Sequence, residues 1–501
     1  MKKDRDSLMN ERLLIGLLHL DVKYGSPEKN RASLLSCAEK AAASGAGIIM
    51  APELALSGYS FNSMDEIAPY TEELTGETIT ALSQLAYRFG VYVGTGIAER
   101  DGNTGIFYNS SVVLGPDGKM AALHRKHVAE RRWSRPGGPS RTSLFETPWG
   151  KVGLLICADT YYGLLPRSHA LHGADLLVVS ANWPPSGIDP REVWRARSLE
   201  NGIGLVAVNR TGLDRRMDCS AAPSYAIAPD GTVLLDETSA DSRVFFVEYC
   251  LDKHRFPSDF RKQMEAARRP WDYNAIALET ADLDEFPDIL DLPDAGSIDI
   301  KCLVPFSESS HREEVVGALT AMNDKGGLLV LPHAMMNLSL EELARQSEQH
   351  SVVIAAGMHS PAGLPIPALV AGGNVECLPP DADSIMADFG VARVALVRSR
   401  ALRHPETAVA LSKRGCDIIV TQADDLDDDL RLILGIKSLE RSVVAVAGHN
   451  GATICVPPDG HERWRETVRM TPGFCAATVN TTKTRKKRFL DRVDMEVLLR
   501  R

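Results

Sequence analysis

The sequence predicts a layered α/β fold that is built twice along the chain. Segments such as Gly153–Ile156 and Leu176–Val179 are apolar throughout, which is typical of strands covered on both faces. These strands alternate with segments of helical periodicity, and the alternation begins again in the second half. At 501 residues the chain exceeds the usual size of one hydrophobic core, so at least two domains are expected.

The first repeat opens with an apolar strand, Leu13–Leu20. A helix follows, because Ser26-Pro27-Glu28 supplies a capping serine and a proline suited to the first helical position. That helix has one apolar face, formed by Leu34, Leu35, Ala38, Ala41 and Ala42. A second buried strand begins at Gly47 and leads into Pro52-Glu53. A later apolar strand, Lys151–Ile156, leads into Cys157.

The same order of elements returns from Ile298 onward. A strand at Ile298–Val304 precedes a helical segment, and a strand from Gly327 then leads into Pro332-His333. Further along, Gly173–Val179 corresponds to Gly415–Val420, and Ser198-Leu199-Glu200 corresponds to Ser438-Leu439-Glu440. Matches that keep their order along the chain indicate an internal duplication.

An acidic stretch separates the two repeats. Residues Glu279–Asp294 are rich in carboxylates and contain Pro287 and Pro293, a composition typical of linkers. We therefore expect a first domain at 1–285, a linker at 286–296 and a second domain at 297–501.

Charge and composition restrict the partners. The formal net charge is −10, from 56 basic and 66 acidic residues, which argues against nucleic acid or a membrane surface as partner. No apolar run approaches the roughly 20 residues of a membrane span. The nine cysteines include no Cys-x-x-Cys pair, so neither a zinc site nor a disulfide framework is expected. The expected location is the reducing cytoplasm.

Three residues that could carry out chemistry follow strand-like segments of the first repeat. They are Glu53, Lys126 and Cys157. Each is unremarkable alone, since a cysteine ending an apolar strand is usually a small core residue. In open α/β sheets, however, working groups collect at the carboxyl ends of strands. A carboxylate, an ammonium and a thiol brought together there form a plausible set for covalent catalysis.

Around these residues the sequence resembles the nitrilase, or carbon–nitrogen hydrolase, superfamily. Pro52-Glu53 with Gly58-Tyr59 resembles the segment of its general-base glutamate, and Arg125-Lys126 resembles its lysine motif. Glu130-Arg131-Arg132-Trp133 resembles the segment of a second glutamate, and Gly153–Asp159 resembles the nucleophile strand. The resemblance covers roughly residues 10–270 in the correct order.

This resemblance implies an αββα sandwich that hydrolyses a non-peptide C–N bond through a thioester. Glu53 would act as the base, Cys157 as the nucleophile and Glu130 as a positioning carboxylate. Lys126 and the backbone N–H of Ala158 would stabilise the developing negative charge. Tyr59, Trp133 and Trp183 are candidate substrate contacts, together with Ala158. No metal or organic cofactor is implied.

Several activities share this set of residues. An amidase releasing ammonia from a small amide is preferred, because Cys157-Ala158-Asp159 resembles the amidase pattern more than the Cys-Trp-Glu of nitrilases. An N-carbamoyl amino acid or amine amidohydrolase is close behind, and a nitrilase is a further alternative. An inert scaffold or binding protein is the alternative of another class.

The second repeat has none of the expected catalytic residues. Alignment of the repeats places His333 at the position of Glu53. The position of Cys157 falls on Val397 or Ser399, depending on the residue used as anchor. We therefore expect a degenerate, non-catalytic copy. Because members of this superfamily pair one sandwich with another, the resemblance implies an intramolecular pseudo-dimer, with further homo-oligomerisation left open.

Overall fold

The computed structural model describes residues 12–278, 286–306, 311–322, 326–333, 338–359, 365–458, 462–487 and 489–500. Contacts within the chain divide these residues into two units. The first extends to Ala267 and also includes Leu490–Leu498, and the second runs from Arg268 to Phe489 and resumes at Leu499. Residue 285, the predicted end of the first domain, lies outside the described residues, and part of the predicted linker forms the helix Phe286–Ile289.

The strands of the first unit form two six-stranded sheets and a small hairpin. They are β1 Arg12–His19, β2 Ile48–Met50, β3 Tyr92–Arg100, β4 Phe107–Leu114, β5 Met120–Arg125, β6 Leu144–Thr147, β7 Gly150–Ile156, β8 Leu176–Ser180, β9 Gly204–Val208, β10 Leu213–Asp214, β11 Met217–Asp218, β12 Ser224–Ile227, β13 Val233–Glu237 and β14 Arg243–Cys250. One sheet has the order β14-β1-β2-β3-β4-β5 and the other β13-β12-β9-β8-β7-β6.

Helices connect or follow the strands of this unit. They are α1 Pro27–Ala43, α2 Met64–Ile67, α3 Glu77–Phe89, α4 Leu164–Leu171, α5 Pro190–Asn201 and α6 Asp259–Ala266. The helices α1 and α3 share an apolar cluster with the first sheet, and α4 and α5 pack against the second. The layers therefore run helix, sheet, sheet, helix.

The alternation of side chains in β1 explains why this strand is apolar throughout. Leu13, Ile15 and Leu17 pack between the two sheets with Val152 and Leu154 of β7. The next residues along the strand, such as Leu18, face the helices instead. Successive side chains of a strand point to opposite faces, so a strand in a four-layered unit needs apolar residues on both.

The second unit contains two six-stranded sheets of its own. Its strands are β15 Ser297–Val304, β16 Gly327–Val330, β17 Val352–His359, β18 Pro365–Ala371, β19 Asn374–Cys377, β20 Ser384–Phe389, β21 Ala392–Arg398, β22 Ile418–Gln422, β23 Val443–Ala447, β24 Ala452–Val456, β25 Arg465–Arg469 and β26 Gly473–Asn480. The sheet orders are β19-β18-β17-β16-β15-β26 and β20-β21-β22-β23-β24-β25. Strand for strand this repeats the order of the first unit, so the predicted duplication is confirmed.

The remaining helices are short or lie on the outer faces of these sheets. They are α7 Phe286–Ile289, α8 His311–Thr320, α9 Leu340–His350, α10 Pro405–Lys413, α11 Asp428–Lys437, α12 Thr481–Thr484 and α13 Met495–Leu499. None of the helices in the described part of the chain has the length and apolar character needed to cross a bilayer.

One segment of the first unit is supplied by the end of the chain. Within Leu490–Leu498, Asp494 Oδ2 lies 3.0 Å from His172 Nε2, just after α4. His172 Nδ1 lies 2.8 Å from the backbone oxygen of Ser168. Both ring nitrogens thus lie within hydrogen-bond distance of oxygen atoms. The first unit is therefore discontinuous in sequence.

Candidate active site

Lys126 lies at the centre of a buried polar cluster in the first unit. It directly follows β5, and its backbone N–H donates to the carbonyl of Asn109, which continues the β4–β5 ladder past the end of β5. The side chain is 1% exposed, and Nζ lies 2.6 Å from Glu53 Oε1 and 2.5 Å from Glu130 Oε1. Burial opposes the ammonium charge, but Glu130 and Glu53 outweigh it and hold the pKa of Lys126 well above its usual range.

Glu53 is positioned where the two sheets of the first unit meet. It follows β2, and its backbone N–H donates to the carbonyl of Ala181, which comes directly after β8 in the other sheet. Its Cα also lies against β3, where a Cβ on Gly96 would come within 2.6 Å of it. Glycine at position 96 therefore gives the backbone of Glu53 the room to approach β3.

Asn109 completes the cluster and was not predicted from the sequence. Its Nδ2 donates to Glu53 Oε1 at 2.7 Å and to Glu130 Oε2 at 2.9 Å. It sits on β4 as part of Asn109-Ser110-Ser111, three buried polar residues in a strand otherwise fit for the core. Buried polar groups in a strand need specific partners, and that is the signal by which sequence reasoning could have singled out Asn109.

The two carboxylates differ sharply in their hydrogen bonds. Glu130 Oε1 accepts hydrogen bonds from Lys126 Nζ and the Tyr59 hydroxyl. Glu130 Oε2 accepts one from Asn109 Nδ2, and Ser134 Oγ donates to it at 3.4 Å. Glu53 receives both Lys126 and Asn109 on Oε1. Its Oε2 is buried and has no hydrogen-bond partner among the described residues. A proton would therefore add most readily at Glu53 Oε2.

The pKa directions agree with this difference. Burial raises the pKa of Glu53 to about 7, with Lys126 opposing and the charge of Glu130 adding to the rise. Burial acts in the same sense on Glu130, but Lys126 and the donors Asn109 and Tyr59 outweigh it and lower that pKa. Near neutral pH the cluster thus holds one carboxylate that stays ionised and one that exchanges its proton.

Cys157 begins a tight turn at the end of β7. Its φ is 43°, in the left-handed region that is uncommon for residues other than glycine. The turn, Cys157–Tyr161, is fixed from α5, where Arg197 donates to the carbonyls of Thr160 and Tyr161, both at 2.7 Å. The hydroxyl of Thr160 closes the turn on the carbonyl of Cys157 at 2.8 Å.

The thiol of Cys157 rests in its protonated form. Burial raises its pKa well above the usual range and the charge of Glu53 adds to this, while Lys126 and a hydrogen bond from the backbone of Asn182 oppose it. Such a thiol needs a base to become nucleophilic. The predicted set of Glu53, Lys126, Glu130 and Cys157 therefore shares one buried, electrostatically linked environment.

Asp159 ties the lysine segment to the cysteine turn. One of its oxygens accepts the backbone N–H groups of His127 and Val128 at 3.0 and 2.9 Å. The other lies 2.7 Å from His124 Nε2 and accepts the backbone N–H of Ile156 at 3.2 Å. Burial opposes the charge, but the hydrogen bond from His124 and the neighbouring donors lower the pKa of Asp159 to about 2.

Within the described residues, one group has the donor types of a metal site. The ligand atoms of His124, His127 and Asp159 lie within 4.8 Å of one another. Both oxygens of Asp159 are already occupied by hydrogen bonds from the protein. Those bonds satisfy the buried charge of Asp159.

The predicted substrate contacts lie at different distances from the cluster. Tyr59 is part of it, since its hydroxyl donates to Glu130 at 2.8 Å and its ring lies 5.5 Å from Lys126 Nζ. Trp133 is buried in an apolar group against which Tyr59 packs. Trp183 follows Asn182 and lies near Tyr161 of the cysteine turn, with ring centroids 6.4 Å apart. Ala158 is half-buried beside Cys157.

The second unit keeps the framework but not these side chains. Its strands place His333 after β16, as Glu53 follows β2, and Ser399 first after β21, where Cys157 follows β7. The backbone bond of Lys126 to Asn109 recurs as Leu378 N–H to the carbonyl of Pro367, again at 2.8 Å. Leucine and proline thus replace the lysine and asparagine of the cluster. Of the two positions expected for the nucleophile, the structure selects Ser399.

The loop of the second glutamate is also shortened in the second unit. In the first unit, residues 126–143 connect β5 to β6, whereas residues 378–383 connect β19 to β20. The shorter connection contains no glutamate. The expectation that the second copy has lost this chemistry therefore agrees with its strand positions.

The first unit has the αββα layers expected of a carbon–nitrogen hydrolase. A model of the family described as carbon-nitrogen hydrolase matches residues 14–248. A probable nitrilase of Schizosaccharomyces pombe is 38% identical over 198 residues, which are 38% of this chain and 71% of that protein. A nitrilase of Pyrococcus abyssi is 33% identical, covering 47% of this chain and 88% of its own. An (R)-stereoselective amidase of a Pseudomonas species is 34% identical, with coverages of 45% and 77%.

The chain belongs to the carbon–nitrogen hydrolase family of the nitrilase superfamily. The matched residues fall within the first unit, which also contains the buried cluster. The resemblance predicted from the sequence is therefore confirmed, and so is the assignment to a carbon–nitrogen hydrolase.

Proposed function

We propose that the chain is an amidase that hydrolyses a small amide to a carboxylic acid and ammonia through a thioester on Cys157. The observation that carries the proposal is the unoccupied oxygen of a buried carboxylate. Glu53 Oε2 has no hydrogen-bond partner among the described residues, and it belongs to the carboxyl group whose pKa burial raises to about 7. A base with a pKa near the working pH is the most effective.

Attack begins with transfer of the thiol proton. Because Cys157 rests protonated, its sulfur becomes nucleophilic only as Glu53 accepts the proton while the S–C bond forms. The substrate carbonyl oxygen then takes up negative charge. Lys126 and the backbone N–H of Ala158 would stabilise that charge, as preformed donors in a buried site do.

Glu130 has a different role from Glu53 in this proposal. Its oxygens are occupied by Lys126, Tyr59 and Asn109, so it is a poor proton acceptor. It keeps Lys126 charged and in place, since the pair is buried and the ammonium has few other ways to offset its desolvation. Glu53 is thereby free to gain and lose its proton without loss of the lysine charge.

The leaving group departs with the proton that Glu53 gained. Protonated Glu53 gives it to the amide nitrogen, the C–N bond breaks, and ammonia leaves a thioester on Cys157. Water then attacks the thioester carbon with Glu53 again as base. The C–S bond breaks, the thiol recovers its proton, and the products are one carboxylic acid and one ammonia for each amide and water consumed.

An amide is preferred to a nitrile or an N-carbamoyl compound as substrate. The small side chain of Ala158 is half-buried beside the nucleophile and restricts the space there less than a large one would. Relatives named as amidases support this choice, among them an omega-amidase of Danio rerio that is 30% identical over 249 residues. The relatives named nitrilase keep nitriles as an alternative, and N-carbamoyl amino acids share the same chemistry of ammonia release.

The substrate class can be identified by ammonia release. We expect the full-length protein to release ammonia from one class in a panel of aliphatic amides, ω-amides, N-carbamoyl amino acids and nitriles, with an amide turned over fastest. Parallel detection of the carboxylic acid excludes ammonia from unrelated deamidation. Turnover of nitriles alone would assign a nitrilase, and silence across the panel with Cys157 unreactive to iodoacetamide would favour the inert scaffold.

The pH dependence of kcat/KM reports the base. Since Glu53 must be ionised to accept the proton and its pKa is raised to about 7, we expect kcat/KM to rise with pH and to level off above pH 7. Below that value it should fall about tenfold per pH unit. Glu53→Gln should remove activity at every pH, whereas Glu39→Gln, which alters an exposed pair with Arg88, should keep the wild-type profile. A flat profile from pH 5 to 8 would argue against Glu53 as the base.

A further inference from the structure

Asn109 is a member of the buried cluster that has no part in the bond-making steps above. It carries no charge, yet its amide nitrogen contacts both carboxylates, at 2.7 Å to Glu53 and 2.9 Å to Glu130. The residue is 1% exposed. The assignment of nitrogen rather than oxygen toward these groups follows from chemistry, because ionised carboxylates only accept hydrogen bonds.

We propose that Asn109 is a positioning residue of the reaction: it holds Glu53 Oε1 and Glu130 Oε2 together and leaves Glu53 Oε2 to exchange the proton with Cys157. The inference rests on the proposed function and deepens it. Without Asn109, Lys126 would be the remaining donor to Glu53 among the described contacts. The carboxyl group could then rotate, and either oxygen could take the proton.

The two hydrogen bonds of Asn109 also separate the roles of Glu53 and Glu130. Two buried carboxylates close together repel, and one of them takes up a proton unless donors offset the repulsion. Asn109 gives one N–H to each, so it supports the ionised form of Glu53 as well as that of Glu130. Its removal should therefore make Glu53 harder to ionise and move the working range of the enzyme to higher pH.

The test is the pH profile of kcat/KM for Asn109→Leu beside wild type. Leucine is close in size and cannot donate. The low-pH part of this profile, where kcat/KM falls as the base is protonated, is its acid limb. We expect the apparent pKa of the acid limb to rise by about one unit, the shift that corresponds to the loss of one hydrogen bond to a charged group. At a pH where both proteins are on the acid side of their profiles, the loss of kcat/KM in the variant relative to wild type should be about tenfold larger than the loss at the plateau.

A matched control separates this effect from a general loss of packing. Asn30 is a buried asparagine of the same unit, and its Nδ2 donates to the carbonyls of Lys23 and Leu56, both at 2.7 Å. Asn30→Ala should lower stability and leave the acid limb where it is in wild type. An Asn109→Leu protein whose rate falls equally at all pH values, with the limb unmoved, would show a structural role only and overturn the inference.

A second variant tests the same inference if Asn109→Leu does not fold. Asn109→Asp keeps the shape of the side chain, removes the donor and adds a negative charge, so the limb should move upward at least as far. A limb at the wild-type position in this variant would also overturn the inference. The proposed function fails separately, in wild type, if no substrate is turned over and no acyl group is found on Cys157.

Discussion

Replacement of Cys157 by alanine should abolish ammonia release, with kcat lowered about 10⁴-fold or more, as expected when a covalent nucleophile is removed. The remaining groups can still bind substrate and polarise its carbonyl, but no thioester can form. The measurement is ammonia release on the substrate class found in the panel, with the intact mass of the protein recorded during turnover. Wild type should carry an added acyl mass in the steady state, and the variant should carry none.

The control for this experiment is another thiol of the same unit. Cys37 lies half-buried on α1, packed against the apolar cluster between that helix and the first sheet. Cys37→Ala should retain wild-type turnover within a few fold and should still acquire the acyl mass. Persistence of the acyl mass in Cys157→Ala would place the nucleophile elsewhere and contradict the proposed mechanism.

Replacement of Lys126 by methionine should cost both activity and stability. It leaves Glu53 and Glu130, with side chains 0% and 4% exposed, without the cation that offsets their burial. Breaking a buried ion pair by removing one partner typically costs about 3–5 kcal/mol, and loss of a donor to the developing oxyanion typically lowers kcat about 10²–10³-fold. The stability change is measured by urea unfolding at two pH values.

The pH dependence of this stability change gives its cause. Without Lys126 the folded-state pKa of Glu130 should rise above its unfolded value, and that of Glu53, already raised to about 7, should rise further. The unfolded chain then releases protons more easily than the folded one. Stability is then lost as the pH rises above about 4.3, the ordinary pKa of glutamate. We therefore expect a larger destabilisation at pH 8 than at pH 5.5, and Lys126→Met with Glu130→Gln should recover part of it.

A surface ion pair supplies the comparison for Lys126. Lys151 Nζ lies 3.2 Å from Glu146 Oε1, with side chains 31% and 72% exposed. Exposed pairs of this kind contribute about 0–1 kcal/mol, so Lys151→Met should change stability little at either pH. Equal effects of the two substitutions would mean that the buried cluster is not held by charge.

Sequence reasoning reached the residues that follow strands. Glu53, Lys126 and Cys157 could be predicted because the carboxyl ends of strands converge at one edge of a sheet, and Glu130 followed from the resemblance to a family. Asn109 could not, since it lies within a strand and its importance comes from two partners 56 and 21 residues away. The sequence has no signal for which oxygen of a carboxylate accepts hydrogen bonds, and that detail supports Glu53 as the proposed base.

The comparison of the two repeats shows a similar limit. From the sequence, His333 marks the loss of the glutamate, but the position of the nucleophile depended on the choice of anchor. Strand register resolves it, because Ser399 begins the turn after β21 as Cys157 begins the turn after β7. The replacement of Lys126 by Leu378 is visible only through the shared backbone bond to the neighbouring strand, since the loop that follows differs in length.

The discontinuity of the first unit has a consequence for how the protein is made. The segment with Asp494, the partner of His172, is synthesised only after the 222 residues from Arg268 to Phe489. At a ribosomal rate of about 5–20 residues per second, the segment Leu490–Leu498 is synthesised roughly 10–45 s after Ala267. During that interval the whole second repeat emerges and can fold. The second repeat can therefore fold before the first unit has its final segment.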